Sequence, residues 1–124
     1  MKKVLIVDDQ PDVARTLSQL VASGGYDVVT ATRFEEARHL IDETPPDILV
    51  TDVRLGAFNG LQLVLHMRSV SADAPVVVLS AFDDPMIRQD AERAGAMWLT
   101  KPVTRRQLLD CLGRGSSKPA GQPT

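Results

Sequence analysis

The sequence predicts an α/β domain in which five parallel strands form one doubly wound sheet with helices on both faces. Three observations carry that prediction. Runs such as "VLIV", "ILV" and "VVVL" are continuously apolar, as strands buried on both faces must be. Between them, apolar residues recur at helical spacing, and chain breakers fall at the junctions. The alternation persists from residue 3 to about residue 113, the pattern of successive strand and helix units.

The first strand is predicted at Lys3 to Asp8, and Val13, Leu17, Leu20 and Val21 then line one face of a helix. Pro11 suits the first turn of that helix, and Gly24 and Gly25 suit its end. A second strand is predicted at Asp27 to Ala31, with Phe34, Ala37 and Ile41 as the apolar face of the next helix. Pro45 and Pro46 stop that helix before a third strand, Asp47 to Asp52. The stretch "RLGAFNG" reads as a glycine-containing loop, after which Leu61, Val64 and Leu65 resume the helical pattern. A fourth strand at Pro75 to Ser80 is followed by Ile87, Ala91 and Ala94 at helical spacing, then by Gly95 as a breaker. Met97 to Thr100 forms the fifth strand, and Leu108 and Leu112 mark the last helix. Beyond Leu112, "GRGSSKPAGQPT" carries too little apolar surface for a core. The expected organisation is one domain over residues 1–113 and a flexible tail or linker stub over 114–124.

Composition narrows the function classes. Fourteen basic against sixteen acidic residues give a net charge of −2, which argues against general binding to nucleic acid or membrane surfaces. No apolar run reaches membrane-spanning length, and "MKKVLIVDD" meets acid too early for a secretion signal, so a cytoplasmic location is expected. Cys111 is the one cysteine, so no internal disulfide forms, and its leucine neighbours mark it as a packing residue.

In doubly wound sheets, ligands bind outside the carboxyl ends of the strands, where the strand order reverses. The first predicted strand ends in Asp8 and Asp9, the third in Asp52, the fourth in Ser80, and Lys101 with Pro102 directly follows the fifth. Three carboxylates, a hydroxyl and an ammonium thus reach one rim. Adjacent like charges need a partner, and a hard oxygen site of this kind suits a divalent cation. Magnesium fits best, because it binds through one or two carboxylates and leaves positions for phosphate oxygens.

Each residue alone has a plainer reading. Asp9 or Asp12 could cap the helix that Pro11 helps to start, and Asp52 could be a turn residue. Ser80 could be a strand-end hydroxyl, Lys101 a solvated cation and Trp98 a core residue. Such readings must put all five polar residues at one edge independently, whereas a single site does so at once.

"VDD" after the first strand, "TDVR" with a glycine eight residues past Asp52, "LSA" closing the fourth strand and "KP" after the fifth together resemble the receiver domain of bacterial two-component response regulators. The resemblance implies a flavodoxin-like fold of strand order 2-1-3-4-5 and a signalling switch with weak catalytic ability of its own rather than an enzyme. It implies Asp52 as phosphoacceptor and Mg2+ held by Asp8, Asp9, Asp52 and the backbone carbonyl of Arg54. It implies Ser80 and Lys101 as contacts to the phosphoryl oxygens, and Ser80 with Trp98 as the pair that switches conformation. The implied donor is a phosphohistidine on a sensor histidine kinase or phosphotransfer protein. The implied output face is the fourth helix, fifth strand and fifth helix, with homodimerisation left open.

Two departures from the family pattern stand out: Gly56 replaces a common proline, and Trp98 replaces the commoner tyrosine or phenylalanine. Three other classes fit the residues less well. An aspartate-nucleophile phosphatase needs a D-x-D motif, which "VDDQPD" lacks. A flavodoxin-like cofactor binder would set its phosphate against Asp8 and Asp9, which repel it. A degenerate receiver that acts only as an interaction module would not need the full set of acids, hydroxyl and lysine.

Overall fold

A computed structural model describes residues 1–116. Its main sheet contains β1 (Lys3–Val7), β2 (Asp27–Ala31), β3 (Ile48–Asp52), β4 (Val76–Ser80) and β5 (Met97–Thr100). The helices are α1 (Pro11–Ala22), α2 (Phe34–Glu43), α3 (Gly60–Val70), α4 (Pro85–Arg93) and α5 (Arg105–Ser116). The sheet order is β2-β1-β3-β4-β5, and every neighbouring pair is parallel. This is the expected doubly wound architecture. The expected tail begins within the last turn of α5, and residues 117–124 lie outside the described residues.

Alternation along each strand divides the core between the two faces. Leu5, Val7, Leu49, Val76, Val78 and Trp98 pack with Ala37, Ile41, Leu63, Val64, Met67 and Ala91 beneath α2, α3 and α4. On the other face, Val4, Ile6, Ile48, Val50, Val77 and Leu79 meet Leu17, Val21, Leu108, Cys111 and Leu112 from α1 and α5. Full burial of each large aliphatic side chain is worth about 1.5 to 3 kcal/mol, so two filled layers hold the sheet between its helices. At the amino end of the sheet, the Arg68 guanidinium donates to the carbonyls of Ala94 (2.7 Å), Gly95 (3.2 Å) and Ala74. It thereby ties the end of α4 to the turn before β4.

Two features position the carboxyl edge. The chain leaves β1 for β2 on one side and returns to β3 on the other, so the ends of β1 and β3 open the crevice. Immediately after β3, Arg54–Leu55 and Phe58–Asn59 form a two-stranded antiparallel ribbon where the sequence reads as a plain loop. Its two-residue turn has Gly56 at φ +62°, a conformation a glycine adopts without steric cost. Strands of two residues are too short to leave a periodic signal.

Gly60 closes this segment. A Cβ placed there would lie 2.0 Å from the Asp52 carbonyl oxygen, so α3 begins in direct backbone contact with the end of β3. Asn59 supports that start: its side chain accepts the Leu61 N–H at 2.8 Å, and its own N–H reaches Gln62 Oε1 at 3.1 Å.

Candidate functional site

Asp8 is the residue after β1, and its backbone N–H bonds the Ala31 carbonyl, which fixes it at the sheet edge. Its side chain is 1% exposed. One carboxylate oxygen accepts the Gln10 N–H at 3.0 Å, and the other accepts Lys101 Nζ at 2.9 Å. The Gln10 cap of α1 makes no side-chain bond, Asp12 pairs with Arg15, and Asp9 turns to the ribbon instead. Neither Asp9 nor Asp12 therefore caps α1, and the plainer reading of those residues fails. Asp9 Oδ2 accepts the Gly56 N–H at 3.2 Å.

Asp52 ends β3 one strand away, with its Oδ2 at 3.5 Å from the same Lys101 ammonium. The carboxylate oxygens of Asp8, Asp9 and Asp52 converge within 4.8 Å of one another. One ammonium against three carboxylates leaves the cluster net negative. Donors that are all hard oxygens, with a surplus of negative charge, fit Mg2+ or Ca2+ and no soft metal.

Burial holds the Asp52 carboxyl pKa above its ordinary value; Lys101 opposes this and Asp8 adds to it. The folded chain therefore binds this proton more tightly than the unfolded chain. The stability contributed is full below the unfolded-chain pKa and is lost as pH rises through the folded one. In metal-free protein at neutral pH, Asp52→Asn is expected to raise the melting temperature, by a margin that shrinks on acidification through the carboxylate range. Added Mg2+ should stabilise wild type more than the variant. Melting curves across pH, with and without Mg2+, check this; a pH-independent margin would contradict it.

Ser80 and Lys101 stand at neighbouring strand ends, joined by the bond from Lys101 N–H to the Ser80 carbonyl. The Ser80 hydroxyl, however, donates to the Phe82 carbonyl at 2.6 Å and accepts the Phe82 N–H at 3.1 Å, so it is bound to its own loop. The Lys101–Pro102 peptide is cis. Arg54 lies in the ribbon, and its guanidinium carbon sits 5.4 Å from the centre of the Phe82 ring. Trp98, opposite Val78 in the sheet, is 9% exposed, and its buried indole Nε1 has no hydrogen-bond partner among the described residues.

The structure thus brings Asp8, Asp9, Asp52 and Lys101 together, sets Ser80 beside them with its hydroxyl turned aside, and buries Trp98 in the layer below α4. Sequence reasoning missed Gly56 as a donor to Asp9, Phe82 as the partner of both Ser80 and Arg54, and the stacked Phe34 and Phe58 rings, 4.5 Å apart. The glycine in "LGAF", flanked by Leu55 and Phe58, is the one signal that could have announced a tight ribbon.

Comparison with known proteins gives a consistent picture. A family model described as the response regulator receiver domain matches residues 4–112. The alkaline phosphatase synthesis transcriptional regulatory protein PhoP of Bacillus subtilis is 32% identical over 108 residues, 86% of this chain and 45% of that protein. The response regulator protein PilR of Pseudomonas aeruginosa is 36% identical over 110 residues, 88% of this chain and 25% of its own length. The chain therefore spans less than half the length of either regulator. Among solved structures, the Vibrio cholerae chemotaxis protein CheY4 superposes with a TM-score of 0.84 at 31% identity, covering 92% of this chain and 98% of that one. A Burkholderia pseudomallei response regulator solved with a phosphorylated aspartic acid, calcium ion and citrate gives 0.85 at 28% identity, covering 95% and 71%.

Proposed function

Because the chain belongs to the response regulator receiver-domain family, we propose that Asp52 accepts a phosphoryl group and that its phosphorylation is the signal the domain transmits. The observation that supports this most is the convergence of Asp8, Asp9 and Asp52 within 4.8 Å, with Lys101 Nζ 2.9 Å from Asp8 and 3.5 Å from Asp52. The phosphodonor is a phosphohistidine on a sensor histidine kinase or phosphotransfer protein. An Asp52 oxygen bonds to phosphorus as the P–N bond to the imidazole breaks, and the electron pair of that bond stays on the imidazole nitrogen. Asp8, Asp9, Asp52 and the Arg54 carbonyl would hold Mg2+, which neutralises phosphoryl oxygen charge when bound.

The chain's own residues do the rest. Lys101 places a fixed positive charge where negative charge collects, and Asp8 holds that ammonium over Asp52. Ala81, directly after Ser80, carries only a methyl group, which suits the approach of a bulky donor or of the water that later hydrolyses the acyl phosphate. Switching begins at Ser80: turning its hydroxyl toward a phosphoryl oxygen gives up the Phe82 carbonyl and frees the loop into α4. Trp98, in the same apolar cluster as Ile87 and Ala91 of α4, would shift with that helix. The output then passes to an effector through α4, β5 and α5, and homodimerisation is one form it can take. Among the described residues, no helix is long and apolar enough to cross a membrane.

Intact-protein mass after incubation with Mg2+ and a small acyl phosphate tests the reading. The expected result is a metal-dependent gain of one phosphoryl group in wild type and none in Asp52→Asn. No gain in folded wild-type protein that binds Mg2+ would leave either a receiver that answers only to its cognate phosphohistidine donor or an interaction module in place of a phosphoacceptor.

A further inference from the structure

The ribbon after β3 contains a contact that the site does not need in order to exist. Asp9 is exposed, and an exposed carboxylate samples several rotamers unless something holds it. Here the Gly56 N–H holds it at 3.2 Å, across 47 positions of sequence. Gly56 can do so because its φ of +62° turns the backbone back on itself between Leu55 and Phe58, which pair across the ribbon. The turn is in turn fixed to the body of the domain: the Phe58 ring lies on that of Phe34 at 4.5 Å and 12°, where α2 begins. A carboxylate has about four acceptor positions, so the bond to Gly56 leaves Asp9 free to meet a cation as well.

We propose that the Gly56 turn is a positioning element of the metal site, presetting the Asp9 carboxylate for Mg2+ through its backbone N–H. This rests on the reading of Asp8, Asp9 and Asp52 as the Mg2+ ligands. Proline at that place could not make this contact, because it has no N–H to give and its φ is locked near −65°. Outer contacts to metal ligands typically carry 10- to 100-fold in affinity, and this exposed, rather long bond belongs at the lower end.

Calorimetric titration of the full chain with MgCl2, without any phosphodonor, tests the proposal alongside metal-free melting curves. Wild type is titrated first; absence of Mg2+ binding there would overturn the ligand assignment itself, and this inference with it. Gly56→Pro is expected to raise the Mg2+ Kd by about tenfold. Gly56→Asn keeps the N–H and tolerates positive φ better than other side chains, so it should stay within about threefold of wild type. A turn that only shapes the ribbon would lower the melting temperature and leave Mg2+ affinity alone. Unchanged affinity in folded Gly56→Pro, or equal loss in both variants, would overturn the proposal. Should Gly56→Pro fail to fold, Phe58→Ala decides: it keeps the N–H and removes the stack, so a Kd raised severalfold supports the proposal and an unchanged Kd overturns it.

Discussion

Gly60→Ala is expected to destabilise the domain by about 3 kcal/mol or more and to abolish Mg2+-dependent labelling in whatever fraction remains folded. The cause is steric and lies in the backbone. A Cβ at residue 60 would sit 2.0 Å from the Asp52 carbonyl oxygen and 3.2 Å from the Val53 Cα. No side chain can rotate away from that clash, because the atoms met are main chain. Relief requires α3 to retreat from the end of β3, which also breaks the bond from Gly60 N–H to the Val53 carbonyl. Asp52 then moves relative to Asp8 and Lys101, and a shift of an ångström there would remove the alignment that the proposed phosphoryl transfer needs. Denaturant unfolding and the labelling assay together check this. A fully stable, fully labelled variant would mean that the close approach is not maintained in solution.

Lys101→Ala is expected to act twice, with different responses to metal. Asp8 is 1% exposed, and Lys101, whose side chain is 23% exposed, is its one cationic partner among the described residues, at 2.9 Å. Removing the ammonium leaves a buried carboxylate facing Asp9 and Asp52 with no positive charge beside it. Stripping one partner from a buried pair typically costs about 3 to 5 kcal/mol; the partial exposure of Lys101 puts the expected loss nearer about 2 kcal/mol. If these three acids hold Mg2+ as proposed, the ion brings positive charge to them, and adding it should recover much of that stability. On the role proposed for Lys101, labelling should behave otherwise, falling about a hundredfold even at saturating Mg2+, because the ion would not replace a donor aimed at the transferring phosphoryl group. Melting temperature and labelling rate, each measured across a Mg2+ series, separate the two effects. If metal restored both alike, Lys101 would be acting only as a counter-ion.

The sheet was legible because its strands are buried on both faces, so each announces itself as an unbroken apolar run; β3 and β4 were placed to within one residue at their starts and at the same residue at their ends. That Asp8, Asp9, Asp52, Ser80 and Lys101 would stand at one edge was legible for a topological reason: polar residues at or just past the carboxyl ends of buried parallel strands emerge together. What escaped was set by contacts distant in sequence or by single torsion angles. The φ of Gly56 cannot be read from a glycine that tolerates many values, and its bond to Asp9 spans the ribbon and the crevice. The orientation of the Ser80 hydroxyl depends on where the Phe82 backbone goes. The end of α5 escaped too, since "GRGS" contains two glycines, each costing about 1 kcal/mol in a helix, yet the helix runs to Ser116.

The most direct test is to locate the phosphoryl group itself. Wild-type protein labelled with an acyl phosphate and Mg2+ is reduced with borohydride, which converts an aspartyl phosphate to homoserine, and its peptides are sequenced by mass spectrometry. Homoserine at position 52 alone is the expected result. Homoserine at position 8 or 9, or none in protein that has gained a phosphoryl group, would contradict the assignment of Asp52 as the acceptor.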